Sequence, residues 1–123
     1  MTVNTDLFWE GVELFNEREF FDCHEVLEAY WKQQCEPDKQ LTQGLIQIAV
    51  AYYHVCRGNR AGALKLLDRG IPRVERFLPS HAGLILDAFL AAVREDREKI
   101  EQGADNSTLI IPKIKVEAEP TRK

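Results

Sequence analysis

The chain has 123 residues, of which 45% are hydrophobic and 29% are charged, and its formal net charge is −4. This length predicts one domain, and the composition predicts a globular core and excludes a disordered or fibrous chain. The start lacks a basic region followed by an apolar run, and no apolar stretch approaches the ~20 residues that span a bilayer. We therefore expect a soluble, cytoplasmic protein with no membrane partner.

The cysteines and the charge distribution further narrow the compartment and the partners that we expect for this protein. Cys23, Cys35 and Cys56 form no Cys-x-x-Cys pair, which favours a reducing compartment and a role as small buried hydrophobes. Residues 6–28 hold eight acidic side chains and residues 57–76 hold six basic ones. These regions could attract each other, pair two copies in a homodimer, or simply be solvated helix faces. The basic strip has no aromatic platform, which argues against nucleic acid.

Apolar periodicity and helix-breaking residues predict six helices in chain order. They cover approximately residues 6–16, 19–34, 38–57, 60–69, 72–78 and 88–102. Asp6 and Asp87 are predicted to cap the first and the last helix, with Ser80 as an earlier start for the last. Pro72 fits the first turn of the fifth helix, because a backbone N–H is unpaired there in any case.

After Gly103 the chain changes character. Residues 109–116 are rich in β-branched side chains and contain Pro112, so we expect an extended strip on the bundle with Ile114 and Val116 on its buried side. The predicted fold class is all-α. It is a small bundle of five to six helices with tetratricopeptide-like helix pairs in residues 1–103, followed by an extended C-terminal tail in residues 104–123.

The third predicted helix is the centre of this arrangement. From Leu45 to Val55 it is apolar on nearly every side, which is typical of a helix in the middle of a bundle. Its polar residues Gln43, Gln47 and His54 are spaced four and seven residues apart, so they share one face.

The second predicted helix carries a matching polar set. His24 and Glu28 are one turn apart, Trp31 lies on the same stripe as His24, and Glu25 occupies an adjoining face. If the second and third helices pack antiparallel, their polar side chains converge on one interior point.

Two parts of the sequence together resemble a known family. One runs from Phe15 to Trp31 and contains Phe-Phe-Asp-Cys-His-Glu-x-x-Glu-x-x-Trp, and the other contains Gln43-Gly-Leu-Ile-Gln47 followed by Gly58-Asn59. This pattern is similar to the family called domain of unknown function 309 over roughly residues 7–80. The resemblance implies a small all-α domain of bacterial and archaeal type with no established biochemical activity. It also implies glycine where this chain has Arg18.

The polar constellation leaves three interpretations open. The first is a binding or scaffolding module with a buried hydrogen-bond network, in which Gln43 and His54 satisfy backbone groups or the Trp31 indole. The second is a metal-dependent, hydrolase-like enzyme with a divalent transition metal on His24, Glu28 and His54. The third is acid–base catalysis without metal, with Glu25 or Glu28 as the general base acting with His24. In the metal-dependent interpretation Glu25 is the candidate catalytic base.

The spacing of His24, Glu28 and His54 does not complete a known metal-binding motif. Glu28 occupies the place that the second histidine takes in His-Glu-x-x-His, and the third helix has no acidic residue between Asp38 and Asp68. The sequence therefore favours the binding module and leaves enzyme activity, cofactor and partner undecided.

Overall fold

A computed structural model describes residues 5–117, and within them the chain forms five helices. These are α1 (Thr5–Asn16), α2 (Phe20–Trp31), α3 (Asp38–Cys56), α4 (Arg60–Glu75) and α5 (Asp87–Glu101). Each helix from α1 to α4 packs against the next one in the chain. This arrangement confirms the predicted all-α bundle of consecutive helix pairs. None of these helices combines the length and the apolar character that crossing a bilayer requires.

Helix α3 lies at the centre, as predicted, and packs against both α2 and α4. Ile48, Ala49, Ala51 and Tyr52 are all fully buried and together cover nearly half of the helix circumference. Two glycines allow α3 and α4 to approach closely. A Cβ atom added at Gly70 would lie 2.9 Å from the Gly44 carbonyl oxygen, and one added at Gly44 would lie 3.0 Å from the Gly70 carbonyl oxygen.

The prediction of a helix break before Pro72 is wrong, because α4 runs unbroken from Arg60 to Glu75 with Pro72 inside it. Pro72 is exposed, whereas Ile71 and Val74 on either side of it are buried. The carbonyl that loses its hydrogen bond to proline therefore lies on the wet side of the helix, where water can pair with it. Burial of the apolar stripe holds the rest of the helix together.

A small antiparallel sheet replaces the predicted connection before the last helix. It comprises β1 (Ser80–His81), β2 (Leu84–Ile85) and β3 (Lys115–Val116), in the order β1-β2-β3. Ser80 is thus a strand residue, and its prediction as a helix start is wrong. The predicted caps are also displaced, since Asp6 and Asp87 lie in the first turns of α1 and α5.

The predicted tail is extended and lies on the bundle. Asn16 fixes it at the end of α1, because its side-chain amide donates to the Ile114 carbonyl at 3.0 Å and accepts from the Ile114 N–H at 2.7 Å. Ile114 is buried as predicted, but Val116 is 37% exposed. The division into a domain and a tail at residue 103 stays a prediction. The last residues of the tail, 118–123, lie outside the described range.

The buried carboxylate of Asp96 is the second anchor of the tail. Its Oδ1 accepts from the Ile110 N–H at 2.7 Å, and its Oδ2 accepts from the Ile111 N–H at 2.8 Å. The Tyr52 hydroxyl also donates to Oδ2 at 2.7 Å. Burial, followed by the nearby carboxylate, raises the pKa of Tyr52, so this hydroxyl remains a donor. One side chain therefore connects α3, α5 and the tail.

The cysteines behave differently from one another. Cys23 is buried, and burial raises its pKa to about 12, which makes it an inert hydrophobic group as predicted. Cys35 and Cys56 are exposed, so the prediction of buried cysteines is wrong for these two.

Replacing Arg18 with glycine is expected to raise the free energy of unfolding. Arg18 has φ of 63° in the turn between α1 and α2, and a side chain in this left-handed region costs ~1–2 kcal/mol. Glycine removes that strain but adds freedom to the unfolded chain, so we expect a net gain of about 0.5–1 kcal/mol. Urea denaturation measures this gain. The neighbouring Glu17→Gly is the control and should lower stability; a fall in stability for Arg18→Gly as well would contradict the prediction.

Candidate functional site

His24 and Glu28 are the part of the predicted constellation that the structure brings into contact. They lie one turn apart on α2, with His24 Nε2 3.6 Å from Glu28 Oε2. Their side chains are 27% and 48% exposed, so water weakens any charge pairing between them. His24 Nδ1 is buried and has no hydrogen-bond partner within residues 5–117.

Trp31 lies two turns after His24 on the same helix. The Lys39 ammonium lies 4.2 Å from the centre of its ring, which is a cation–π distance. Its indole Nε1 is buried and finds no hydrogen-bond partner in the described part of the chain. The suggested pairing of this N–H with Gln43 or His54 is therefore wrong.

The side chain of Gln47 contacts α4 rather than α2. Its Oε1 accepts from Arg73 Nη1 at 3.2 Å, and Gln40 Oε1 accepts from Arg73 Nε at 3.1 Å. Gln43 is half-buried one turn before Gln47. The predicted polar face of α3 thus stabilises the contact between α3 and α4.

His54 lies in the last turn of α3 and contacts the connection to α4. Its Nδ1 lies 3.4 Å from the Asn59 amide nitrogen. Asn59 Oδ1 in turn accepts from the Gly62 N–H at 3.0 Å and caps α4. The closest contacts of His54 are therefore different from those of His24.

The metal and catalytic assignments gain no support from these positions. Within residues 5–117, no three His, Cys, Asp or Glu side chains form a group that could hold a metal ion. Glu25, the candidate base, is exposed to solvent. A metal on His24, Glu28 and His54 stays a prediction without a geometric argument behind it.

A different site, which the sequence did not suggest, lies where α1 meets the connection between α2 and α3. It is a cavity of about 130 Å³. Nine described residues line it: Thr5, Phe8, Trp9, Tyr30, Gln34, Asp38, Leu41, Thr42 and Ala82.

Two polar atoms in this lining have no hydrogen-bond partner within residues 5–117. Gln34 Oε1 and Thr42 Oγ1 are both buried, and neither makes a hydrogen bond to any described residue. Thr42 as a whole is 0% exposed. A buried polar group without a partner costs ~1–3 kcal/mol, and native proteins contain few of them. Two such atoms in one cavity therefore mark it as a site where a bound molecule could be stabilised.

The remaining lining supplies aromatic rings and one charge. The Phe8 ring centre lies 5.2 Å from that of Trp9 and 5.3 Å from that of Tyr30. Burial raises the pKa of Tyr30, and the Asp38 carboxylate raises it further, whereas a hydrogen bond with the Gln34 side-chain amide lowers it. Tyr30 therefore remains a neutral phenol at physiological pH.

The β1–β2 hairpin covers one side of the cavity. Asp38 Oδ1 and His81 Nε2 are 2.8 Å apart, which fixes the hairpin to the start of α3. At the turn, Ala82 lines the cavity. Gly83 has φ of +82°, and a Cβ there would lie 3.0 Å from the Trp9 ring. Glycine thus permits both the turn and its close approach to Trp9.

The sequence contained one signal for this cavity. Thr42 shares a helix face with Leu45 and Ala49, both fully buried, so it is a polar residue in an apolar stripe. Gln34 gave no such signal, because it follows the end of α2 and its burial depends on the folded connection.

A family model described as Domain of unknown function (DUF309) matches residues 8–66. The chain is also 36% identical over 106 residues to a Bacillus subtilis (strain 168) protein named Uncharacterized protein YpuF. That alignment covers 82% of this chain but 60% of the relative, so the chain spans less than two thirds of the relative's length.

Proposed function

Residues 8–66 belong to the domain of unknown function 309 family, and from that premise we propose that the protein is a binding module whose ligand is a small molecule held in the cavity between α1, α2 and α3. The family match contains seven of the nine residues that line the cavity. Thr5 and Ala82 lie outside it. The proposal therefore concerns the family's own domain rather than an addition to it.

The observation that carries the proposal is the pair of unpartnered oxygens, Gln34 Oε1 and Thr42 Oγ1. An amide oxygen can only accept hydrogen bonds, whereas a hydroxyl can donate and accept. A ligand that donates to Gln34 Oε1 would relieve the cost of its burial. The aromatic rings of Phe8, Trp9 and Tyr30 supply the apolar walls that small-molecule sites usually have.

The proposal predicts that two isosteric substitutions separate stability from binding. Thr42→Val removes a buried oxygen that has no hydrogen-bond partner within residues 5–117. Gln34→Met removes another such oxygen, but also the amide group that hydrogen-bonds Tyr30. We therefore expect Thr42→Val to raise the free energy of unfolding of the ligand-free protein by up to about 1 kcal/mol, and Gln34→Met to change it less, since each substitution keeps the volume. Urea denaturation measures the change.

The chain offers matched controls for both substitutions. The Thr108 hydroxyl donates to the Asp105 carbonyl at 2.7 Å, so Thr108→Val should lower stability. Gln47 Oε1 accepts from Arg73, so Gln47→Met should lower it too. If Thr42→Val and Gln34→Met destabilise as much as their controls, the two oxygens have structural partners and the proposal is wrong.

Binding is tested with four small probes: ethylammonium, acetamide, 2-propanol and acetate. We expect at least one probe with a hydrogen-bond donor to shift the Trp9 indole resonance in a two-dimensional ¹⁵N NMR titration, and to shift it less in Gln34→Met. No shift from any of the four would contradict the proposed function.

A further inference from the structure

We infer that the cavity selects a primary alkylammonium ion of about four to five non-hydrogen atoms. This inference rests on the proposed function and adds the chemical class of the ligand. It comes from the hydrogen-bonding character, the charge, the rings and the volume of the cavity.

The polar atoms that line the cavity favour a ligand with hydrogen-bond donors. Gln34 Oε1 and the Asp38 carboxylate can only accept hydrogen bonds, and the Thr42 hydroxyl can accept one as well. A carboxylate or phosphate ligand would place its own acceptors against these oxygens and leave them unpaired. A primary ammonium group has three N–H donors and no acceptor, which suits a lining whose unpartnered atoms are oxygens.

The charge of the lining favours a cation. Asp38 is the one described lining residue with a formal charge. It is 48% exposed and contacts His81, so its attraction is screened and partly shared. Asp38 therefore adds selectivity for a cation, while the buried oxygens of Gln34 and Thr42 provide the directional bonds.

The aromatic rings favour the same ion. The neighbouring rings of Phe8, Trp9 and Tyr30 all line the cavity. Their faces attract a cation within about 6 Å of the ring centre, and their edges pack against an alkyl chain. An ammonium group with a short alkyl chain meets both kinds of contact.

The volume favours a small ligand. At about 130 Å³ the cavity is smaller than the ~300–1,000 Å³ of sites that hold drug-sized molecules. Propylammonium and ethanolammonium, with four non-hydrogen atoms each, match this size. A free amine and the end of a lysine side chain share this chemistry.

The test is an NMR titration of the full chain at about pH 8, where alkylamines are protonated. The probes are propylammonium, Nα-acetyl-lysine methylamide, tetramethylammonium, acetamide and acetate. We expect propylammonium to bind about tenfold more tightly than tetramethylammonium, which is a cation without N–H donors. Binding of the lysine derivative alone would support the ligand class and identify a protein side chain as its source.

Two variants show whether Asp38 contributes its charge. Asp38→Asn should weaken propylammonium binding about two- to fivefold and weaken acetamide binding less, because acetamide carries no charge. Asp87→Asn is the matched control, because Asp87 is likewise the first residue of a helix but does not line the cavity, and it should bind normally. Equal binding by tetramethylammonium, or binding of acetamide without propylammonium, would overturn the ligand class while leaving the proposed function intact. Failure of all five probes would overturn both.

Discussion

Replacing Asp96 with asparagine is expected to lower the free energy of unfolding by about 3 kcal/mol, one of the two largest effects anticipated for this chain. The carboxylate accepts three hydrogen bonds, from Tyr52, Ile110 and Ile111, and is fully buried. Asparagine keeps the shape but replaces one acceptor oxygen with an N–H₂ donor, which in either orientation faces a backbone N–H, that of Ile110 or that of Ile111. Urea denaturation measures the loss, and the NMR resonances of residues 109–114 show whether the tail is released.

Two controls separate the network from a general loss of charge. Tyr52→Phe removes one of the three donors and should cost about 1 kcal/mol. Asp22 is exposed on α2, so Asp22→Asn should change stability by less than about 0.5 kcal/mol. If Asp96→Asn is as mild as Asp22→Asn, the tail is not held by this carboxylate.

Replacing Gly70 with alanine is expected to have the second large effect on stability. The sign of that effect shows how closely α3 and α4 approach each other. In the middle of a helix this change ordinarily stabilises by ~0.5–1 kcal/mol. Here the new Cβ would lie 2.9 Å from the Gly44 carbonyl oxygen and 3.1 Å from Ile48 Cγ1. Because the nearer of these atoms is backbone, α3 and α4 must separate. We expect a loss of about 2 kcal/mol.

Thermal and urea denaturation of Gly70→Ala, with Arg69→Ala as an exposed neighbour on the same helix, measure this effect. Gly44→Ala should be similarly harmful, and the double variant should cost less than the sum, because one separation of the helices accommodates both methyl groups. Stabilisation by Gly70→Ala would show that α3 and α4 do not approach so closely.

The helices were predictable because their signals are local. The apolar stretch of α3 gave its central place, and the one-turn spacing of His24 and Glu28 gave their contact. Gly58, with φ of +76°, ends α3 as its residue type indicates. Such patterns depend on residues within two or three turns of one another.

The errors arose where distant residues decide the outcome. Pro72 was predicted to start a helix, but the buried residues around it continue α4. The strands β1 and β2 have two residues each, and β2 also pairs with β3, about 30 residues later in the chain. The burial of Asp96 depends on the tail, which supplies the N–H donors of Ile110 and Ile111.

The side chains of the predicted site do not come together, for a related reason. Helical spacing placed Gln43, Gln47 and His54 on one face, but it could not show which neighbour that face would contact. Arg73 of α4 donates a hydrogen bond to Gln47, and the Asn59 side-chain nitrogen lies next to His54 Nδ1. The cavity depends on three elements that meet only in the folded chain. Homodimerisation stays a prediction.

The most direct test of the cavity as a binding site is a high-resolution crystal structure of the protein grown with propylammonium. The account predicts density for the ion between the rings of Trp9 and Tyr30, with its nitrogen within hydrogen-bond distance of Gln34 Oε1 and Thr42 Oγ1. A structure in which both oxygens bond to the protein's own groups, and the side chains close over the space between them, would contradict it.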